Sequence, residues 1–177
     1  MTEKYVTDEV KAFIGYETEV GRCWDVVERG AVRRFAQAVM DIDPVFIDAD
    51  FASQTRFGEP VAPPLFPLMQ ARMPFDGPDI ISERAEDPHF DGTGGAVTSN
   101  SLPPLPLGNL SLLNGGSEVE LFRYLRHGEG VSFRHRYADI YERETSKGLM
   151  VFVISETDYI DDSGELIARV KRTTIRR

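Results

Sequence analysis

The chain has 177 residues, with 20 Lys and Arg against 29 Asp and Glu, a formal net charge of −9; 41% of its residues are hydrophobic, enough for one domain with a proper core. The acidic balance argues against a nucleic-acid or anionic-membrane face, and the one cysteine, Cys23, excludes an internal disulfide framework or a Cys-cluster metal site. No run approaches the roughly 18 apolar residues of a membrane span. The N-terminal stretch carries acids where a signal peptide would be apolar, so the chain reads as cytoplasmic.

In chain order, residues 7–14 predict a short helix capped by Thr7 or Asp8. Residues 19–27 read as an edge strand, with Cys23 beside Trp24 in the core. Over 31–40, Val32, Phe35, Ala36 and Val39 recur at helical spacing, with Arg33, Arg34 and Gln37 opposite. That helix should stop near Asp41, because Pro44 disfavours helical geometry at the residue before it. A short helix follows over 48–54. Residues 65–73 are apolar nearly all round, and Pro67 fits a helix there only in its first turn.

Residues 75–109 are rich in Pro, Gly, Asp and Ser without a sustained period, and read as a long inserted loop. Within it, Leu102-Pro-Pro-Leu-Pro-Leu107 is too apolar for a free linker and should pack against the domain or a partner subunit. The last third alternates. Strands are expected over 117–124, 131–142, 149–158 and 166–176, the last two joined by the hairpin turn Asp161-Asp-Ser-Gly164. In the second strand, Val131, Phe133, His135, Tyr137, Asp139 and Tyr141 should share one face, with Ile140 and Glu142 on the other. The expectation is a four-stranded antiparallel meander curved around the 65–73 helix: an α+β fold filling residues 1–177 as one domain.

Charge is unevenly spread. Residues 41–91 hold eleven acids and three bases, whereas 165–177 hold one acid and five bases. The basic end is either a solvated strand face or a contact for phosphate or an acidic partner. His89, His127 and His135 have no metal-motif spacing and read as structural or solvated.

Two stretches, Phe35-Ala-Gln-Ala-Val-Met-Asp41-Ile-Asp43-Pro44-Val-Phe46 and Phe57-Gly-Glu-Pro-Val-Ala62-Pro63-Pro64, resemble the hot-dog-fold (R)-specific enoyl-thioester hydratases and dehydratases of the MaoC type. The nearest likeness is to the fungal fatty-acid-synthase-like dehydratase domain, the N-terminal half of MaoC-type proteins. Leu113-Asn114-Gly115-Gly116-Ser-Glu-Val-Glu-Leu-Phe-Arg123, Tyr124-Leu-Arg-His-Gly-Glu129 and Tyr137-Ala-Asp-Ile-Tyr-Glu-Arg143 extend the likeness in the family's order over most of 20–177.

The resemblance implies a chemistry that can be checked residue by residue. Catalytic members carry Gly-Asp-x-Asn-Pro-x-His, whose Asp and His hold and deprotonate the water that adds to the double bond. Here the Asp falls on Asp41, the Asn on Asp43 and the His on Phe46, which moves no proton. The family's Gly that lends its N–H to the thioester carbonyl falls on Pro64, which has none. Each loss costs roughly 10²–10³-fold or more. Asp41 is thus the remaining candidate catalyst of a degenerate site, or a helix-end residue. Candidate substrate contacts are Asp43, Pro64, Asn114, Gly115, Gly116 and Arg123, with Arg126, Arg169, Lys171 and Arg172 as further cations for coenzyme A phosphates. Asn114-Gly115-Gly116 is either a bulge opening a strand or a close backbone approach to the acyl chain or the long loop.

The leading expectation is a non-catalytic acyl-binding subunit of an enoyl-CoA hydratase or 3-hydroxyacyl-thioester dehydratase acting on long or bulky acyl groups, from fatty-acid or steroid side-chain metabolism. The substrate would carry coenzyme A or acyl-carrier-protein phosphopantetheine, and no metal or redox cofactor is implied. The partner would be a second copy or a catalytic MaoC-type chain in a heterodimer or heterotetramer. Two alternatives stand beside it. One is a self-sufficient homodimeric hydratase or thioesterase whose Asp41 and Asp43 split their pKa values. The other is a non-enzymatic acyl-CoA-binding scaffold.

Overall fold

A computed structural model describes residues 4–70, 80–86, 102–108 and 110–177. Helix α1 (Asp8–Lys11) begins where the Thr7 hydroxyl accepts the Val10 N–H. Strand β1 (Gly21–Arg22) is the regular remnant of the strand expected over 19–27. The chain around it follows β3 intermittently: the N–H groups of Gly15, Thr18 and Cys23 donate to the carbonyls of Tyr137, His135 and Val131. Cys23 is buried in the core, whereas Trp24 is exposed.

Helix α2 (Arg29–Ala38) ends as the sequence demands, in a Schellman turn. The Asp41 N–H donates to Ala36 O at 2.9 Å and the Met40 N–H to Gln37 O at 3.2 Å, while Met40 takes a φ of +57°. A 3₁₀ turn (Pro44–Phe46) and helix α3 (Ala49–Ser53) follow, each capped by an aspartate. Helix α4 (Pro67–Gln70) has Pro67, fully buried, at its first position. Of the expected 65–73 helix, residues 71–73 lie outside the described residues, as do 75–79, 87–101 and 109 of the expected loop. That loop is not structureless: helix α5 (Ile80–Ala85) lies within it.

The sheet comprises β2 (Leu112–Leu121), β3 (Ser132–Thr145), β4 (Gly148–Ile160) and β5 (Leu166–Arg176), with β1 at one edge. Its order is β1-β3-β4-β5-β2, with every pair antiparallel. Only β3-β4-β5 is the expected meander. Strand β2 lies beyond β5 rather than next to β3, because the chain after it leaves the sheet and crosses the core. There Leu125 is buried and accepts the Ala62 N–H at 2.8 Å.

A second departure is the bulge between Tyr137 and Asp139 in β3. The Asp139 carboxylate accepts the Ile140 N–H at 2.8 Å and holds the extra residue. The bulge shifts the alternation, so Ile140 joins Tyr137 in the core and Tyr141 turns outward to stack on Phe152.

Two apolar clusters line the inner face. The larger unites α2, the 3₁₀ turn, α3, residues 61–66 and Leu125 with Phe133, Tyr159, Ala168 and Val170 of the sheet. The smaller unites Val6 and Val10 with Leu107, Tyr137, Ile140, Val151 and Val153. Leu102 and Leu105 pack against it and the Tyr137 hydroxyl donates to Pro103 O at 2.8 Å, so the apolar 102–107 segment packs against its own domain.

Candidate functional site

The Schellman turn leaves Asp41 exposed just past the end of α2. Its neighbours are apolar and open to solvent: Met40 is 86% and Ile42 79% exposed. Asp43 has a local job. Its carboxylate accepts the Val45 N–H at 2.9 Å, capping the turn that Pro44 starts. Phe46 ends that turn, buried among Val45, Val61, Ala62 and Phe66 in the larger cluster. The ring of Phe46, on which the sequence resemblance puts the family's histidine, is therefore a core side chain.

Residues 61–64 lie directly against this turn. The Val61 N–H donates to Val45 O at 3.3 Å and the Ala62 N–H to Leu125 O, and neither Pro63 nor Pro64 has an N–H. Four successive positions thus have no free amide hydrogen for a thioester carbonyl. Sequence reasoning identified the loss at Pro64 alone; the spending of Val61 and Ala62 is a long-range effect without a local signal.

His127 comes to the same place from the other side. Burial, the largest influence, holds its pKa below the ordinary histidine value. Its buried Nε2 has no hydrogen-bond partner among the described residues. Arg29, Asp48 and Asp50 border the open hollow of about 580 Å³ that it lines. His135 is a strand residue whose Nδ1 pairs with the Thr157 hydroxyl at 2.8 Å, and burial depresses it too. Cys23 is no nucleophile: burial pushes its thiol up to about 12.

Arg123 lines a larger open cleft of about 730 Å³ between residues 56–61, the end of β2 and the β4–β5 turn. Its guanidinium donates to Tyr124 O at 3.0 Å, Glu129 at 2.8 Å and Asp161 at 2.6 Å. It is engaged by two carboxylates. Asp161 is the hub: its other oxygen accepts from the Ser163 N–H, the Ser163 hydroxyl and the Glu165 N–H. These bonds, with Ser163 first and Arg123 next among the stabilising partners, hold its carboxyl far below the usual range. Arg126 pairs with Glu59 at 3.1 Å, Arg169 with Asp158 at 2.6 Å and Lys171 with Glu118 at 3.7 Å. The turn signal at 161–164 was legible, but Asp161 as the mate of Arg123, 38 residues away, was not.

Asn114, Gly115 and Gly116 do not join this site. They form the bulge of β2, in the row of Val153 and Thr174 in the other half of the sheet. The Asn114 amide oxygen accepts the Gly116 N–H at 2.9 Å, and Gly116 takes a φ of +106°. A Cβ on Gly115 would lie 2.7 Å from Thr173 Cγ2 and 2.9 Å from Thr173 O, so the close approach these glycines permit is that of β2 to β5.

The chain matches the model of the FAS1-like dehydratase domain region over residues 12–170. No curated protein matches its sequence significantly. Among solved structures it is similar to the ChsH1–ChsH2 complex from Mycobacterium tuberculosis, with a TM-score of 0.68, 19% identity and coverage of 94% of this chain and 86% of that one. It is also similar to the MaoC-like dehydratase from Rhodospirillum rubrum, with a TM-score of 0.60, 18% identity and 93% of both chains covered. A third likeness is to the HadBC (3R-hydroxyacyl-ACP dehydratase) complex of M. tuberculosis, with a TM-score of 0.56, 18% identity and 89% and 95% covered.

Proposed function

Since the chain belongs to the FAS1-like dehydratase family, a MaoC-type family with the hot-dog fold, we propose that it is the non-catalytic, acyl-binding subunit of a heteromeric enoyl-thioester hydratase or 3-hydroxyacyl-thioester dehydratase. The observation that carries this reading is Phe46: the position from which a histidine would serve the water is filled by a buried core ring. The spent or missing amide hydrogens of 61–64 support it, because a carbonyl placed there gains no backbone donor from them.

A catalytic MaoC-type chain would then bring the Asp and His. Its pair would exchange protons with the water that adds reversibly across the double bond of a trans-2-enoyl thioester. This chain would supply part of the acyl tunnel and fit it to long or bulky groups, on coenzyme A or an acyl carrier protein. Two kinds of observation favour pairing. The structures it resembles include two named complexes, ChsH1–ChsH2 and HadBC. The exposed Val39, Met40 and Ile42 around Asp41 are apolar surface that a neighbouring subunit would cover.

The test is co-expression with a MaoC-type subunit from the same source that retains the Asp and His, followed by hydration assays on crotonyl-CoA and a long-chain enoyl-CoA. The two chains should co-purify in fixed stoichiometry, and the long substrate should require both. A catalytic chain that hydrates the long substrate equally well alone would refute the proposal.

A further inference from the structure

The outer face of the sheet neutralises its own cations. Arg169 binds Asp158 at 2.6 and 2.9 Å, Arg134 approaches Asp158 at 3.7 Å, Arg136 pairs with Glu156, and Lys171 reaches Glu118 at 3.7 Å. Arg172, one residue on from Lys171, takes the opposite face by strand alternation. It stands two positions beyond Val170 of the larger cluster and two before Thr174, the cross-strand neighbour of Val153 in the smaller one. At this boundary the inner face turns polar. His135 and Thr157 are paired in one cross-strand row, and Ser155, Arg172 and Ser117 follow one another in the next. No carboxylate lies in either row, and Arg172 has no ion pair among the described residues. His135 is no mate for it: its Nδ1 pairs with the Thr157 hydroxyl at 2.8 Å, and burial first and the Arg172 charge second hold its pKa low. His135, Thr157 and Ser155 are half-buried, whereas Arg172 and Ser117 are exposed, so the strip opens toward β2.

We infer that Arg172 binds a carboxylate carried on the acyl group away from the thioester, so that the substrates this chain accommodates are dicarboxylic acyl thioesters. The inference rests on the reading that the chain supplies part of the acyl tunnel. Apolar side chains border the strip on both sides, Val119 and Val170 on one and Val153 on the other, which gives a hydrocarbon chain surface to lie on. A plain hydrocarbon laid over Arg172 would strip water from the guanidinium and return no acceptor. A carboxylate instead takes two parallel N–H bonds from the guanidinium fork. The hydroxyl-bearing Ser155 and Ser117, directly across the strand pairs on either side of Arg172, add donors for the same group. Coenzyme A phosphates offer the same oxyanion chemistry, but a strip between two apolar clusters suits the acyl end of the molecule better than its heavily solvated end.

Thioesters of N-acetylcysteamine carry no phosphate and separate the two sources. The probes are the decanoyl thioester and the decanedioyl half-thioester, which keeps one free carboxylate, each on N-acetylcysteamine and on coenzyme A. They are titrated calorimetrically into the chain, with the catalytic subunit bound where it co-purifies. The decanedioyl ester should bind about tenfold more tightly than the decanoyl ester on either carrier. Arg172→Gln should abolish that preference, and Arg172→Lys should keep part of it. Equal binding of the two N-acetylcysteamine esters, or no binding of either, would overturn the inference, as would a preference that survives Arg172→Gln. So would an Arg172→Gln chain weakened only toward the coenzyme A esters, because the arginine would then read phosphate. A long enoyl substrate that needs both chains without any preference for the carboxylate defeats this inference alone. A preference shown by a chain that the catalytic subunit does not need defeats the proposed function alone.

Discussion

Met40 is the residue at which local backbone chemistry and family resemblance meet. By the sequence resemblance it falls on the leading glycine of the Gly-Asp-x-Asn-Pro-x-His segment, and it adopts a φ of +57°. A side chain in that region costs about 1–2 kcal/mol, which glycine avoids. Met40→Gly should therefore stabilise the isolated chain by about 1 kcal/mol, read as a higher midpoint in urea at unchanged m-value. A lower midpoint would mean that the Met40 side chain makes contacts worth more than the strain.

Asp161 offers a pH test. Its folded carboxyl is held well below the unfolded value near 3.9, so its stabilisation is fully present above about pH 4 and is lost as pH falls below that. Asp161→Asn should lower stability at pH 7 by about 1–2 kcal/mol, because Arg123 keeps Glu129 as its one carboxylate and the turn loses its anionic acceptor. Between pH 5 and pH 2.5 the variant should lose less stability than wild type. Parallel acid-denaturation curves would contradict this assignment. At this scale the sequence was informative about the 41–46 and 62–64 departures because proline and phenylalanine lack the needed groups whatever their surroundings. It named Arg123 as a substrate contact and could not show the carboxylates that engage it, which come from 6 and 38 residues away.

At the scale of elements, the β2 bulge and the β3 bulge set what the strands can present. Gly115→Ala would drive a Cβ into Thr173, so it should destabilise by about 1–3 kcal/mol in thermal or chemical unfolding. Thr173→Ala should rescue this only in part, because the Thr173 carbonyl 2.9 Å from that Cβ remains. Complete rescue would locate the strain in the side chain alone. Strands β4 and β5 were legible almost to their ends from alternation and the Asp161–Gly164 turn. The face assignment of β3 failed past Tyr137, since a one-residue bulge inverts alternation without any change in composition. The helix α5 was missed because six residues are too few for a period to emerge from a Pro-rich segment.

For the whole molecule, the arrangement of strands is where sequence reading ran out. Hairpin-linked neighbours could be paired from local signals, but placing β2 beyond β5 depends on residues 122–131 crossing the core, a tertiary outcome. That placement makes β2 an edge and leaves the 41–46 and 61–64 segments on one cluster, with Asn114–Gly116 in the row of the other. The molecule that results has the fold of the MaoC-type dehydratase family, and on the function proposed above Phe46 and residues 61–64 supply neither a base nor a free amide donor. The most direct measurement of that claim is hydration of crotonyl-CoA and a long-chain enoyl-CoA by the purified chain alone, wild type beside Asp41→Ala. The account predicts rates at the uncatalysed background for both proteins. Turnover near that of ordinary hydratases in the wild type, abolished by Asp41→Ala, would contradict it.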